Sequence, residues 1–125
     1  NSRLNVHIGM SSEMLDNEKM EVWFDNPVDV SYVEIMEDQT DGQKILEWVL
    51  ETRWPAYWCS KDKKDQWIPV AQGNSIGHKR IISVNHLRGY AFRVRILRSY
   101  EGAVLKSLRV FGNKIPMVFH EHMNV

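Results

Sequence analysis

A chain of 125 residues fits one domain and can bury roughly two thirds of its unfolded surface, so a core can form without staples. Lys+Arg and Asp+Glu number 16 each, so no net field recruits a polyanion, which argues against a general binder of nucleic acid or anionic membranes. The single cysteine, Cys59, rules out an intrachain disulfide, and no apolar run is long enough to span a bilayer.

In chain order, Leu4, Val6 and Ile8 alternate with Asn5 and His7 and predict a short strand, followed by a loop or cap at Ser11-Ser12-Glu13. MEVWF, 20–24, predicts a second strand and 28–37 a third, with a turn at Asp25-Asn26-Pro27. Residues 38–43 form a polar loop with an Asp41-Gly42 turn signal. Over 44–52 a helix competes, but Leu46, Trp48 and Leu50 alternate with Glu47 and Glu51, which decides for a strand. Residues 53–66 read as a long connection, aromatic and then charged, with Lys61 to Asp65 as a solvated tip.

The stretch 67–80, WIPVAQGNSIGHKR, reads as a strand, a tight glycine-flanked loop and the start of another strand. Strands follow over 80–86 and 91–98, separated by a turn at 87–90. In the second of these Phe92, Val94 and Ile96 face inward and Arg93 and Arg95 outward. A Gly102-containing loop precedes the last clear strand, 104–111. The tail, 113–125, carries Pro116 and His120-Glu121-His122 and is left unplaced. About eight short strands, spaced by roughly ten residues and free of long helices, predict an all-β antiparallel sandwich of jelly-roll type.

Alternating antiparallel strands would place the loops 38–43, 73–79 and 99–103 at one end of that sandwich. The aromatic loop 53–66 and the turn 87–90 then fall at the other end. The first end gathers Glu37, Asp38, Asp41, Gln43, Asn74, Ser75, His78, Lys79, Arg80, Tyr100 and Glu101, a mixed polar rim of the kind that hosts binding sites.

Two segments carry a family resemblance: Glu37…Gly42-Gln43-Lys44-Ile45 and Trp67…Ala71-Gln72-Gly73-Asn74-Ser75-Ile76-Gly77-His78-Lys79-Arg80. Together they are similar to the galactose-binding-like (discoidin, or factor V/VIII type C) β-sandwich. The version they most resemble is the C-terminal accessory domain of family 29 alpha-L-fucosidases. The resemblance covers about residues 20–112 of one domain taken as 1–125. It implies a non-catalytic carbohydrate-binding or accessory role and an extracellular or secreted setting. Implied partners are a fucose- or galactose-containing glycan or a neighbouring catalytic domain, with no nucleic acid and no membrane insertion. The family's aspartate-rich turn, which often binds a structural calcium ion, has no counterpart in SSEMLDNEKMEVWF. No cofactor is therefore expected, with structural calcium as the open alternative.

Sugar recognition requires hydrogen-bonding groups for adjacent hydroxyls and an aromatic face for a C–H patch. The rim offers Asn74, His78, Lys79, Arg80, Gln43 and Glu37, with Tyr100 as a platform. The competing reading is structural: Glu37 pairs with Arg80, and Gln43 satisfies loop backbone. Trp54, Tyr57 and Trp58 make a second candidate surface or else cover the sandwich, while Trp23, Trp48 and Trp67 read as core. Catalysis is not expected. A retaining glycosidase needs two carboxyls about 5–5.5 Å apart, and loop carboxylates such as Glu37, Asp38 and Glu101 are more simply solvated. His7, His78, His86 and the tail histidines lack zinc-site spacing, so no metal site is expected. A structural interaction module, or a discoidin-like protein binder without a sugar ligand, is the alternative function.

Overall fold

The computed structural model describes residues 6–59 and 65–115. The strands are β1 (His7–Ser11), β2 (Lys19–Glu37), β3 (Ile45–Arg53), β4 (Ile68–Gly73), β5 (Arg80–Ser99) and β6 (Leu105–Lys114). They form one antiparallel sheet of six strands in the order β1-β6-β2-β5-β3-β4. The only other regular element among the described residues is a 3-10 turn, Ala56–Trp58. The all-β antiparallel expectation is borne out, but with six strands rather than eight.

The difference has one cause. Asp25-Asn26-Pro27 and residues 87–90 read as chain reversals, yet each lies within a continuous strand. Trp23 pairs with Ala91 and Val28 with Gly89, so β2 stays on the same partner across a bulge of four residues. A buried Pro27, which has no N–H for the ladder, suits such a bulge. On β5, Asn85 and His86 take φ of 55° and 68°, a left-handed conformation that these residue types tolerate better than most. Asp29 of β2 meets His86 at 3.4 Å and Arg88 at 3.6 Å from the facing strand. Turn-forming residues here build a corner at which two paired strands bend together.

The corner folds the sheet into two layers. One is β1, β6 and the 28–37 and 80–89 halves of the long strands. The other is the 19–23 and 91–99 halves with β3 and β4. Their inner faces share one core: Val33, Ile35, Leu108 and Val110 from the first layer, Met20, Trp48, Leu50, Phe92 and Val94 from the second. Side chains alternate across a strand, so a one-residue slip would turn the core outward. The bulge between Val30 and Tyr32 takes up that slip, and the buried series moves from Val28 and Val30 to Val33 and Ile35. A similar irregularity near the start of β3 places Ile45 in the core and leaves Leu46, expected inside, half-buried.

Trp48 is core, as expected, but Trp23 is not: it is 52% exposed. Met20 and Val22 take the inner positions of β2, which turns Glu21 and Trp23 outward. Trp67 is half-buried on that outer face, edge-on to Trp23 with ring centres 5.7 Å apart. Beside it Glu51 is 4% exposed, although strand alternation points it away from the core. Arg93 (2.7 Å) and Arg95 (3.3 Å) cover and pair it. Burial pushes the Glu51 carboxyl up, but its bonds to Arg95 and Arg93 outweigh this and hold it below its ordinary value.

Candidate functional site at the loop rim

The loops 38–44, 74–79 and 100–104 do meet at one end of the sandwich. The Glu37 N–H donates to the Gly77 carbonyl (3.3 Å), Asp38 N–H to Val104 (2.8 Å) and Tyr100 N–H to Lys44 (2.9 Å). Both ends of β5 reach this rim, Arg80 opposite Ile35 and Ser99 opposite Ile45, because the corner returns the strand to where it began.

Glu37 is the brace. It is 2% exposed, and its Oε2 accepts the Lys44 N–H at 2.6 Å and the Ile45 N–H at 3.0 Å. The carboxylate thus satisfies two backbone donors where β2 hands over to β3. The expected pairing of Glu37 with Arg80 is not formed. The Arg80 guanidinium lies 5.9 Å from the Trp48 ring centre, and the Trp48 indole N–H donates to the Ser75 carbonyl at 3.4 Å. Gly73 permits this packing, since a Cβ there would lie 2.6 Å from Trp48 Cζ2.

Above Trp48 opens a cleft of about 580 Å³ lined by Glu47, Gln72, Asn74, Ser75, Arg80 and Leu97. Glu47 also accepts from Arg98 at 3.3 Å. The cleft therefore offers a carboxylate, two primary amides, a guanidinium and an apolar contact, the inventory that neutral polyols require. Of the seven rim residues picked out from sequence, it gathers Asn74 and Arg80. Glu37 is internal. His78 and Lys79 are exposed and do not line this cleft, and Lys79 lies 3.8 Å from Glu34. Gln43 and Tyr100 are exposed, Tyr100 by 62%, and neither lines this cleft. Sequence reading missed Glu47, Gln72 and Leu97. Leu97 carried a signal: it is apolar at an outward position, out of phase with Phe92, Val94 and Ile96.

The loop 38–44 closes on itself. The Thr40 hydroxyl and N–H donate to Asp38 Oδ1 at 2.6 and 2.9 Å, and these bonds hold the Asp38 carboxyl below its ordinary value. A small cleft of about 50 Å³ lies among Asp38, Thr40, Asp41, Lys44, Gly102 and Val104. Among the described residues no group of three or more His, Cys, Asp or Glu is placed to hold a metal ion. The tail histidines lie outside the described residues. Toward the opposite end, Tyr57 is 63% exposed and meets Trp58 edge-on at 6.0 Å, while Trp54 and Trp58 are half-buried and outside the core cluster. The Cys59 thiol is half-buried and donates to the Pro55 carbonyl at 3.4 Å. No helix among the described residues is long and apolar enough to cross a membrane.

No protein-family model and no curated protein matches the chain. Solved structures do. A Bacteroides thetaiotaomicron protein assigned as an alpha-L-fucosidase is 19% identical, with a TM-score of 0.72 over 90% of this chain and 24% of its own. A glycoside hydrolase 29 family member from an unknown rumen bacterium is 19% identical, with a TM-score of 0.63 over 86% of this chain and 19% of its own. A Ruminococcus gnavus family 29 fucosidase in complex with fucose is 18% identical, with a TM-score of 0.56 over 79% of this chain and 18% of its own. At these identities the likeness establishes the fold. The chain spans a quarter or less of each of these structures.

Proposed function

We propose that this chain is a non-catalytic accessory domain that binds a neutral sugar at the Glu47–Asn74–Arg80 cleft, alongside a glycoside hydrolase of the fucosidase kind. The observation that carries the reading is the cleft itself: groups from β3, β4, the 74–79 loop and β5 converge over a buried tryptophan. Asn74 and Gln72 can each donate and accept toward adjacent hydroxyls, Glu47 accepts, Arg80 donates and Leu97 meets a C–H face. Each such bond contributes only about 0.5–1.5 kcal/mol net, so a shallow site binds weakly and gains from repetition along a glycan. The fold likeness to a minor part of family 29 hydrolase chains supports the accessory role. A secreted setting follows from that role.

A glycan array with fucose- and galactose-terminated glycans tests the reading. Binding should be seen with the native chain and weakened in Asn74→Ala. An array without signal removes sugar recognition. Release of fucose from an aryl fucoside by the purified chain overturns the non-catalytic assignment. The alternative is a structural module packing against a catalytic domain. It draws on exposed Tyr57 beside Trp58 and gains if Tyr57→Ala, rather than Asn74→Ala, alters behaviour in the parent protein.

A further inference from the structure

The corner holds a second concavity, of about 480 Å³, lined by Trp23, Phe24, Asp25, Asn26, Pro27, Val28, Lys114 and Ile115. Of these, Trp23, Asp25, Asn26 and Lys114 carry the chemistry. We infer that this cleft is a separate binding site for a neutral pyranose, with Trp23 as the stacking platform.

Trp23 is 52% exposed although it belongs to a strand, and its surroundings fix it there. Its indole N–H donates to Glu21 Oε1 at 2.9 Å, so the polar tip is already satisfied and the ring offers a ligand only its apolar surface. Edge contacts with Trp67 (5.7 Å) and Tyr90 (5.8 Å), and the Arg53 guanidinium at 5.6 Å from the ring centre, hold the indole before any ligand arrives. A platform ordered in advance loses less entropy on binding.

The polar lining is matched to hydroxyls. Asp25 and Asn26 sit in the bulge, whose backbone is anchored by buried Pro27 and Val28. Lys114 arrives from β6, opposite Val28. Among the described residues the Asp25, Asn26 and Lys114 side chains have no hydrogen-bond or ion-pair partner. One carboxylate, one amide and one ammonium balance in charge, which disfavours both anions and cations. A nucleotide would bring its phosphate toward Asp25, and a flat apolar protein face would leave all three groups unpaired. A pyranose has a C–H face for Trp23 and several hydroxyls for the rest. The site shares no lining residue with the rim cleft and does not depend on it.

Titration of the full 125-residue chain with methyl alpha-L-fucopyranoside, methyl beta-D-galactopyranoside and methyl beta-D-glucopyranoside tests the inference, followed at the Trp23 indole and Asn26 amide resonances. At least one glycoside should shift both signals saturably. Trp23→Ala should weaken that binding about tenfold or more, and Trp23→Phe should recover part of the loss. Asn74→Ala should leave it unchanged, which separates this site from the rim. The inference is overturned if no glycoside shifts the indole, or if the response survives Trp23→Ala in a folded chain. Concentration-dependent broadening of the indole without a glycoside response also overturns it and makes the corner a self-association surface.

Discussion

At the rim, three separate loops are tied together by backbone hydrogen bonds, and a carboxylate at 2% exposure accepts two backbone N–H groups. At the corner, two continuous strands bend together, and the outer surface beside the bend is covered by aromatic rings and guanidinium groups. The contrast lies in what a change would disturb. Removing the rim's central group exposes unsatisfied backbone inside the protein. Removing the corner's central ring takes away surface that water already reaches. The rim's fixed geometry is therefore expensive in stability, and the platform ring at the corner costs less to remove.

Four substitutions probe that contrast, taken from the largest expected effect to the smallest. Glu37→Ala should destabilise the fold by about 4 kcal/mol, because two charge-assisted bonds of about 2 kcal/mol each are lost to buried donors. Chemical denaturation at neutral pH measures it, and a loss under about 1 kcal/mol would mean that water replaces the carboxylate. Glu51→Gln comes next, at about 3 kcal/mol, since it leaves Arg93 and Arg95 without their shared partner. The sign of its pH dependence follows from the lowered carboxyl. The stabilisation is full above the ordinary value of 4.5 and is lost as pH falls through the depressed folded value. The native and Glu51→Gln stability curves should thus converge below pH 4.5 and stay apart at neutral pH. Parallel curves would deny the pair its role.

Gly73→Ala sharpens the rim side. The added methyl group meets Trp48 at 2.6 Å, so a loss of about 2 kcal/mol is expected, with shifted resonances around Asn74 and Ser75. Trp23→Ala should have the smallest effect on stability, about 1 kcal/mol, since the half-exposed ring gives up edge contacts outside the core. A melting-temperature drop as large as that of Gly73→Ala would erase the contrast between the two ends.

Much of the fold was legible because period-two alternation reports faces directly. Trp48, Leu50, Phe92 and Val94 were placed inside by that rule alone, and three loops were placed at one end. Direction was less legible. Asp25-Asn26-Pro27 and the residues before Tyr90 carry the composition of turns, and a sheet corner needs the same backbone freedom as a reversal. The loops still share one end, because a folded-over strand returns to its starting end just as a hairpin does. Trp23 was misassigned by residue type, although its phase against Met20 and Val22 already turned it outward. Glu37 and Arg80 were grouped by charge, but burial selects backbone donors for one and the Trp48 ring for the other. Glu47 and Gln72 could not be singled out, because ordinary polar residues on strands acquire a role only when the cleft beside them exists.

The central claim is that the rim cleft binds a neutral sugar without catalysis. The most direct measurement is a two-dimensional NMR titration of the native chain with methyl alpha-L-fucopyranoside and methyl beta-D-galactopyranoside, read at the Asn74 side-chain amide and the Arg80 Nε–H. Saturable shifts at both groups for at least one glycoside, with the Arg80 shift lost in Asn74→Ala and no consumption of the glycoside, are the predicted result. Unmoved Asn74 and Arg80 signals in a folded chain would contradict it.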